Sequence, residues 1–304
     1  SDLDGALTIH QNNPANPNDP GGNLGILYVI NGDINDDVTI AGSATKILVK
    51  NGHIDGDVTV TRDLDYLLAY SDNAVPAVSG DVTVGRDLRV MKVLDDDVTG
   101  AVSVGRDAYL IYVRGGNLGG GLTVGDTLSK LIVINGKVTG GAVDIGDNLD
   151  LIKIINRGGM AVDVGMQVGD WTDKAILYGD VAGPLTFGTD QANDGLGLVK
   201  LLGDLDEEFT VLGNLEKFIL INGQVASNGD PNDPIIEVTG DADLMKIIGV
   251  ADGTPVIDDE VEVGDELDFF YVRNGTMTGT IEAGRMGRIL YYTSNGIQAA
   301  LTSN

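Results

Sequence analysis

Cysteine is absent from this 304-residue chain, so no disulfide staples it and no thiolate holds a metal. Histidine is scarce. His10 falls in a polar, proline-broken stretch and His53 stands beside an Asn-Gly corner. No H-x-x-x-H, no G-x-S-x-G and no Walker loop occurs. Gly115–Gly121 is glycine-rich, but no helical pattern follows it, so it is not a phosphate cradle. Proline is 8 against glycine 44, which excludes a proline-rich linker or a collagen-like chain. Aromatics are 5%, with Trp171 the one tryptophan, so stacking platforms for sugars are poorly supplied. No apolar run reaches the roughly eighteen residues of a membrane span, and membrane insertion is not expected. Basic residues are short as well: Lys+Arg is 19 against Asp+Glu 46, a net charge of −27. A body this acidic repels phosphate backbones, which excludes nucleic acid as a partner. The acidity serves solubility, or cation bridging outside a cell.

What the chain has is a sentence written many times. Residues 81–100 read DVTVGRDLRVMKVLDDDVTG and 101–120 read AVSVGRDAYLIYVRGGNLGG. The unit is apolar-Thr-apolar, Gly-Asp, Leu-x-x-apolar-x-apolar, Asn-Gly, x-Val-x-Gly. About fourteen copies of about twenty residues fill the chain, with 161–207 and 235–259 fitting more loosely. Segments such as VTV and LTV alternate as half-buried strands do. Gly-Asp then turns the chain, and a longer strand such as Leu128–Ile134 follows. Asn-Gly at 31–32, 51–52, 135–136, 222–223, 274–275 and 295–296 marks a corner, because both residues tolerate positive φ. A short third strand closes the unit.

Sandwich strands do not repeat their sequence at this period, whereas a coil does. The expected fold is all-β: a single-chain parallel β-solenoid with three short strands per coil and essentially no helix. It forms one elongated domain over 1–304, with corner insertions at 10–22, 71–80 and 226–234. The inward ladder follows from the phase. Val82, Val84, Leu88, Met91, Val93 and Val98 fill one coil. Val102, Val104, Ala108, Ile111, Val113 and Leu118 fill the next, and Leu122, Val124, Leu128, Leu131, Val133 and Val138 the one after.

Two features exceed what a plain solenoid needs. First, outward positions of the middle strand are often apolar: Tyr28, Ile30, Ile132, Ile134, Ile219, Ile221, Tyr271 and Tyr292. A strand apolar on both faces suggests lateral contact with another copy; lysines and arginines among the same positions suggest a plain exposed sheet instead. Second, Leu7-Thr8-Ile9 near one end and Ala300-Leu301-Thr302 near the other share one phase of the repeat. Stacked head to tail, one copy would continue the ladder of the next, a heterologous contact that does not close. A segment cut from a longer repeat protein would look the same. The chain begins at Ser1, which a removed signal peptide or such a cut would each explain.

Calcium is the one cofactor the residues suggest, since carboxylates and turn carbonyls at corners suit it. Asp95, Asp96, Asp97, Asp258 and Asp259 are candidates, with Asp19 and Asp233 in the twin Asn-Asp-Pro loops. Plain surface charge is the competing reading. Asp87 stacked over Asp107 would repel, and Arg62, Arg86 and Arg106 stand beside them to relieve it.

The phrase V-T-V-G-x-D-L-x-x-L-x-V-x-N-G-x-V-T-G resembles bacterial secreted and cell-surface repeat proteins with Gly/Asp-rich β-solenoid modules. The resemblance implies an extracellular or cell-surface adhesin, surface layer or matrix fibre. A looser likeness is to bactofilins, solenoids that polymerise end to end without nucleotide, although their repeat is shorter. The expectation is therefore a non-enzymatic structural protein that polymerises with itself, as in a biofilm matrix filament. An adhesin or stalk that binds surface polysaccharide is the alternative, and a carbohydrate-active β-helix enzyme the third reading.

Overall fold

The structure is a computed structural model and describes residues 2–11, 21–71, 75–189, 194–226, 235–250, 255–292 and 300–303. It is all-β, with no helix among the described residues, and the strands pair in parallel. The turns number about 12 at roughly 21 residues each, with three strands per turn, which is a parallel β-solenoid. Contacts divide the chain into two compact units, 1–147 and 148–304.

In the first unit three-residue strands stack in one ladder: Leu7–Ile9, Val38–Ile40, Val58–Val60, Val82–Val84, Val102–Val104, Leu122–Val124 and Val143–Ile145. Seven-residue strands stack in a second, from Leu24–Ile30 through Ala44–Lys50, Leu64–Tyr70, Leu88–Leu94 and Ala108–Arg114 to Leu128–Ile134. The third strand is a single bridge per turn, running Leu3, Ile34, Ile54, Val78, Val98, Leu118, Val138. Val78 thus belongs to the ladder, so part of the 71–80 insertion is regular coil.

The second unit repeats the plan less evenly. Its long strands are Leu149–Val162, Trp171–Val181, Gly195–Leu202, Asn214–Ile221 and Ala242–Ile248. Two strands, Val261–Arg273 and Thr280–Tyr292, run unbroken through the corner that separates short from long strand elsewhere. Val261–Arg273 accordingly pairs with Ile236–Val238 at one end and with Ala242–Ile248 at the other.

Every residue assigned inward in the three example coils is buried, at 1% exposure or less. Each valine, leucine, isoleucine or methionine among them contributes about 1.5–3 kcal/mol relative to leaving it in water. The second unit adds rings to this core: Phe209 lies 5.8 Å from Phe187 and 5.2 Å from Phe218. The corners obey the residue chemistry. Asn31, Asn51, Asn135, Asn222 and Asn274 have φ of 52 to 58°, and Asp95 takes the same place at 67°. The Asn-Gly at 295–296 lies outside the described residues.

Stacking explains the other conserved element of the unit, its closing glycine. A Cβ on Gly80 would stand 2.2 Å from Gly56 O, one on Gly100 2.0 Å from Gly80 O, and one on Gly120 2.0 Å from Gly100 O. At these turns the backbone below lies where a side chain would go, so no larger residue fits; other turns hold Asp36, Glu207 or Asp259 at the same place.

Candidate functional site

The corners come first, because the carboxylates gather there. In most turns an Asp or Asn oxygen accepts the backbone N–H stacked one turn further on. Asp37 takes Asp57 N–H at 3.0 Å, Asp57 takes Asp81 N–H at 2.9 Å, and Asp81 takes Ala101 N–H at 2.8 Å. Asp180, Asp204 and Asp241 do the same in the second unit, at 3.0, 2.9 and 3.0 Å. Asn23, Asn117 and Asn214 hold equivalent bonds at 2.8, 3.0 and 2.9 Å. Asp and Asn thus do one job, which needs an acceptor oxygen at the right reach and not a charge.

The calcium candidates fit this pattern. Asp97 accepts Asn117 N–H at 2.6 Å, and Asp95 faces the Arg114 guanidinium at 3.2 Å. One oxygen of Asp96 accepts Asp97 N–H at 2.8 Å, and its other oxygen is buried without a hydrogen-bond partner. Asp259 repeats that arrangement with Glu260 N–H at 2.8 Å, and Asp258 accepts from the Thr278 hydroxyl. Calcium asks for six or more converging oxygens. Among the described residues no group of three or more Asp, Glu or His comes together for a metal. Asp19 and Asp233 lie outside the described residues. The Asp87 repulsion is relieved as the sequence suggests: Arg106 grips Asp87 with two bonds, at 3.1 and 2.6 Å, which raises the arginine's pKa further. Arg86 stands 3.5 Å from Asp63.

The outer face of the long-strand ladder is different ground. Its residues form three columns in register. In the first unit the middle column is Tyr28, Leu48, Leu68, Lys92, Tyr112, Ile132, and the third is Ile30, Lys50, Tyr70, Leu94, Arg114, Ile134. Tyr28 and Ile132 therefore share one column and Ile30 and Ile134 another, with Tyr28 55% and Ile30 48% exposed. The first column is Ile26, Lys46, Tyr66, Val90, Leu110, Lys130. Not one of these positions is a carboxylate. A shallow groove of about 650 Å³ lies here, lined by Lys46, Leu48, Tyr66, Leu68 and Arg89 together with Asp65, which stands one position outside the first column.

The second unit carries the same face in a stricter form. Its first column reads Leu151, Lys174, Leu198, Lys217, Leu244, Phe269, Arg288. Its middle column reads Lys153, Ile176, Lys200, Ile219, Lys246, Tyr271, Leu290. Through Ala242–Ile248 lysine alternates with an aliphatic down each column, and the two columns are out of step. Each turn thus shows one cation, and no lysine stands directly beside another across strands, where like charges repel. The third column, Ile155, Tyr178, Leu202, Ile221, Ile248, Arg273, Tyr292, is apolar but for its arginine. Lys200 lies over the Tyr178 ring at 5.9 Å and Lys246 over Tyr271 at 5.6 Å. Tyr271 and Tyr292 stack with centroids 5.9 Å apart. Carboxylates resume one position outside the first column, at Asp150, Asp173, Glu216, Asp243 and Asp268. A groove of about 620 Å³ opens at one corner, between Arg157, Tyr178, Asp180, Leu202 and Asn222.

Sequence reasoning found two of the three columns and missed the first. Its signal was present: the inward residues Leu88 and Met91 are three apart where strict alternation gives two, so two successive residues face out. The absence of acid from these three columns was equally readable but needed all three aligned.

The last candidates are the edges. Leu7–Ile9 pairs in parallel with Val38–Ile40, Leu7 opposite Val38. Ala300–Ser303 pairs in parallel with the start of Thr280–Tyr292, Leu301 opposite Ile281 and Thr302 opposite Glu282. Among the described residues each of these strands has a neighbour on one side alone. Leu7 N–H donates to Asp37 O at 2.9 Å and Ile9 O accepts from Ala41 N–H at 2.9 Å. By the alternation of a parallel ladder, the backbone groups of Thr8 point to the open side.

Fold and surface together define the class: a parallel β-solenoid whose polar corners are engaged in its own ladder and whose long strands, in each unit, carry three columns of cationic and apolar residues with carboxylates one position outside them. No known protein family, curated protein or solved structure matches the chain.

Proposed function

We propose that the chain is a structural protein, a β-solenoid subunit that joins copies of itself head to tail into a fibre outside the cell. The observation behind this reading is that Leu7–Ile9 and Ala300–Ser303 are parallel strands in the same phase of the repeat, so a second copy of this 304-residue chain has the register to add a rung to either. In a shared register Leu301 meets Leu7 and Thr302 meets Thr8, and the short-strand ladder runs on across the joint. The engagement of corner carboxylates in backbone hydrogen bonds accords with a structural role over a catalytic one. The location outside the cell rests on the resemblance to secreted repeat proteins and on the charge of −27.

Electron microscopy and sedimentation of this 304-residue chain test the reading, with and without EDTA. Fibres that lengthen with protein concentration are expected. Thr8→Pro removes the open-side N–H and spares the bonds to Val38–Ile40, so it should leave the circular dichroism unchanged and abolish the fibres. Single particles at every concentration, or undiminished fibres from Thr8→Pro, would overturn the proposal. Loss of fibres in EDTA would bring a divalent cation into the joint.

A further inference from the structure

The lysine-bearing columns of the 148–304 unit have a matching surface elsewhere on the same unit. On the short-strand ladder Glu237, Glu262 and Glu282 stand in register on three successive turns, pointing outward, with Glu260 beside them. Like charges one strand apart repel, and the Glu260 carboxyl is held above its ordinary range by burial first and then by Glu282, Glu262 and Asp259. Among the described residues neither Glu262 nor Glu282 forms an ion pair, and neither do Lys200, Lys217 and Lys246. Lys200, Lys217 and Lys246 thus form no ion pair even with the exposed carboxylates that stand one position outside the first column.

We infer that this sheet docks sideways onto the glutamate column of a second copy of the chain. Commensurability singles out that occupant. The lysines advance one per turn and the glutamates advance one per turn. Both spacings are the roughly 4.8 Å between stacked strands. Laid side by side, Lys200, Lys217 and Lys246 of one copy meet Glu237, Glu262 and Glu282 of the next at matching intervals along the whole contact. The leucine and isoleucine positions between the lysines, with the Tyr271 and Tyr292 pair, supply the apolar ground that such a contact buries. The contact is heterologous, sheet against edge column, so each copy offers both halves and the association need not stop at two. It is a lateral contact and does not depend on the end-to-end joint.

A charge-swap experiment in the Thr8→Pro background separates this contact from axial growth. The assay is sedimentation velocity at low and at physiological salt. The parent is expected to associate at low salt and to dissociate as salt rises. Lys200→Glu with Lys246→Glu should weaken association at least tenfold, and so should Glu262→Lys with Glu282→Lys. An equimolar mixture of the two variants should associate again, because each reversed surface then meets an opposite one. A parent that stays single at low salt, or variants that associate like the parent, would overturn the inference. So would a mixture that stays apart. A further arm adds alginate, a polymer of acidic sugars. Alginate binding lost in the lysine variant, with no self-association in the parent, would assign the face to a polysaccharide and overturn docking between copies.

Discussion

Gly100→Ala tests the stacking of the coils most directly. The added Cβ would lie 2.0 Å from Gly80 O, and ordinary contact begins at 3.4 Å. The turn must therefore lift by about 1.4 Å, more than a quarter of the roughly 4.8 Å between strands. Two good hydrogen bonds tie this corner to the turn below: Thr99 N–H to Val78 O at 2.8 Å and Ala101 N–H to Asp81 at 2.8 Å. A third, Gly100 N–H to Val78 O, is already long at 3.4 Å. A lift of that size breaks all three, at about 0.5–1.5 kcal/mol for each sound bond. Removing glycine's freedom from the unfolded chain returns about 0.4–1 kcal/mol. The net loss is about 1.3 kcal/mol at mid-range and at most about 2.6 kcal/mol, read as a lower urea midpoint by circular dichroism. Gly25→Ala is the control, since its Cβ would meet nothing within 4 Å. It should leave stability within about 0.5 kcal/mol or raise it slightly. If Gly100→Ala also stayed within about 0.5 kcal/mol, the close stacking of Gly100 on Gly80 would be refuted.

Three other substitutions probe separate links. Asp81→Ala should lose about 1 kcal/mol through its bond to Ala101 N–H, while Asp81→Asn should lose less than half of that, because asparagine keeps the acceptor. Thr172 is fully buried and its hydroxyl has no hydrogen-bond partner, so Thr172→Val should stabilise the second unit by about 1 kcal/mol, followed by the fluorescence of neighbouring Trp171. Glu260→Gln should stabilise at neutral pH. The folded carboxyl binds its proton more tightly than the unfolded one, so the native glutamate loses stability as pH rises from its ordinary value of 4.5 through the raised one. The advantage of the glutamine should disappear below that window. A midpoint difference that stays constant from neutral to acid pH would show that the burial of Glu260 is misjudged.

The sequence by itself determined the strands, their phase and the core. Alternation over VTV and over Leu-x-x-apolar-x-apolar says which side chains face in, and Val82, Met91 and Leu131 are buried as that phase requires. Asn-Gly at the corners is local chemistry, and positive φ at Asn31 or Asn135 needs no partner to foresee it. What only the tertiary structure decided are relations between residues a whole turn apart. That Asp81 holds Ala101 N–H, that Gly100 rests on Gly80, and that Lys217 stands between Leu198 and Leu244 depend on the register of one coil upon another. A repeat of roughly twenty residues leaves that register open, because long turns such as Val58 to Val82 shift the count. Stacking fixes it, since burial of the aliphatic ladder is satisfied in one phase alone. Once that phase is set, corner aspartates such as Asp81 and Asp97 are seen to accept backbone N–H groups of the next turn, and scattered lysines fall into ordered columns.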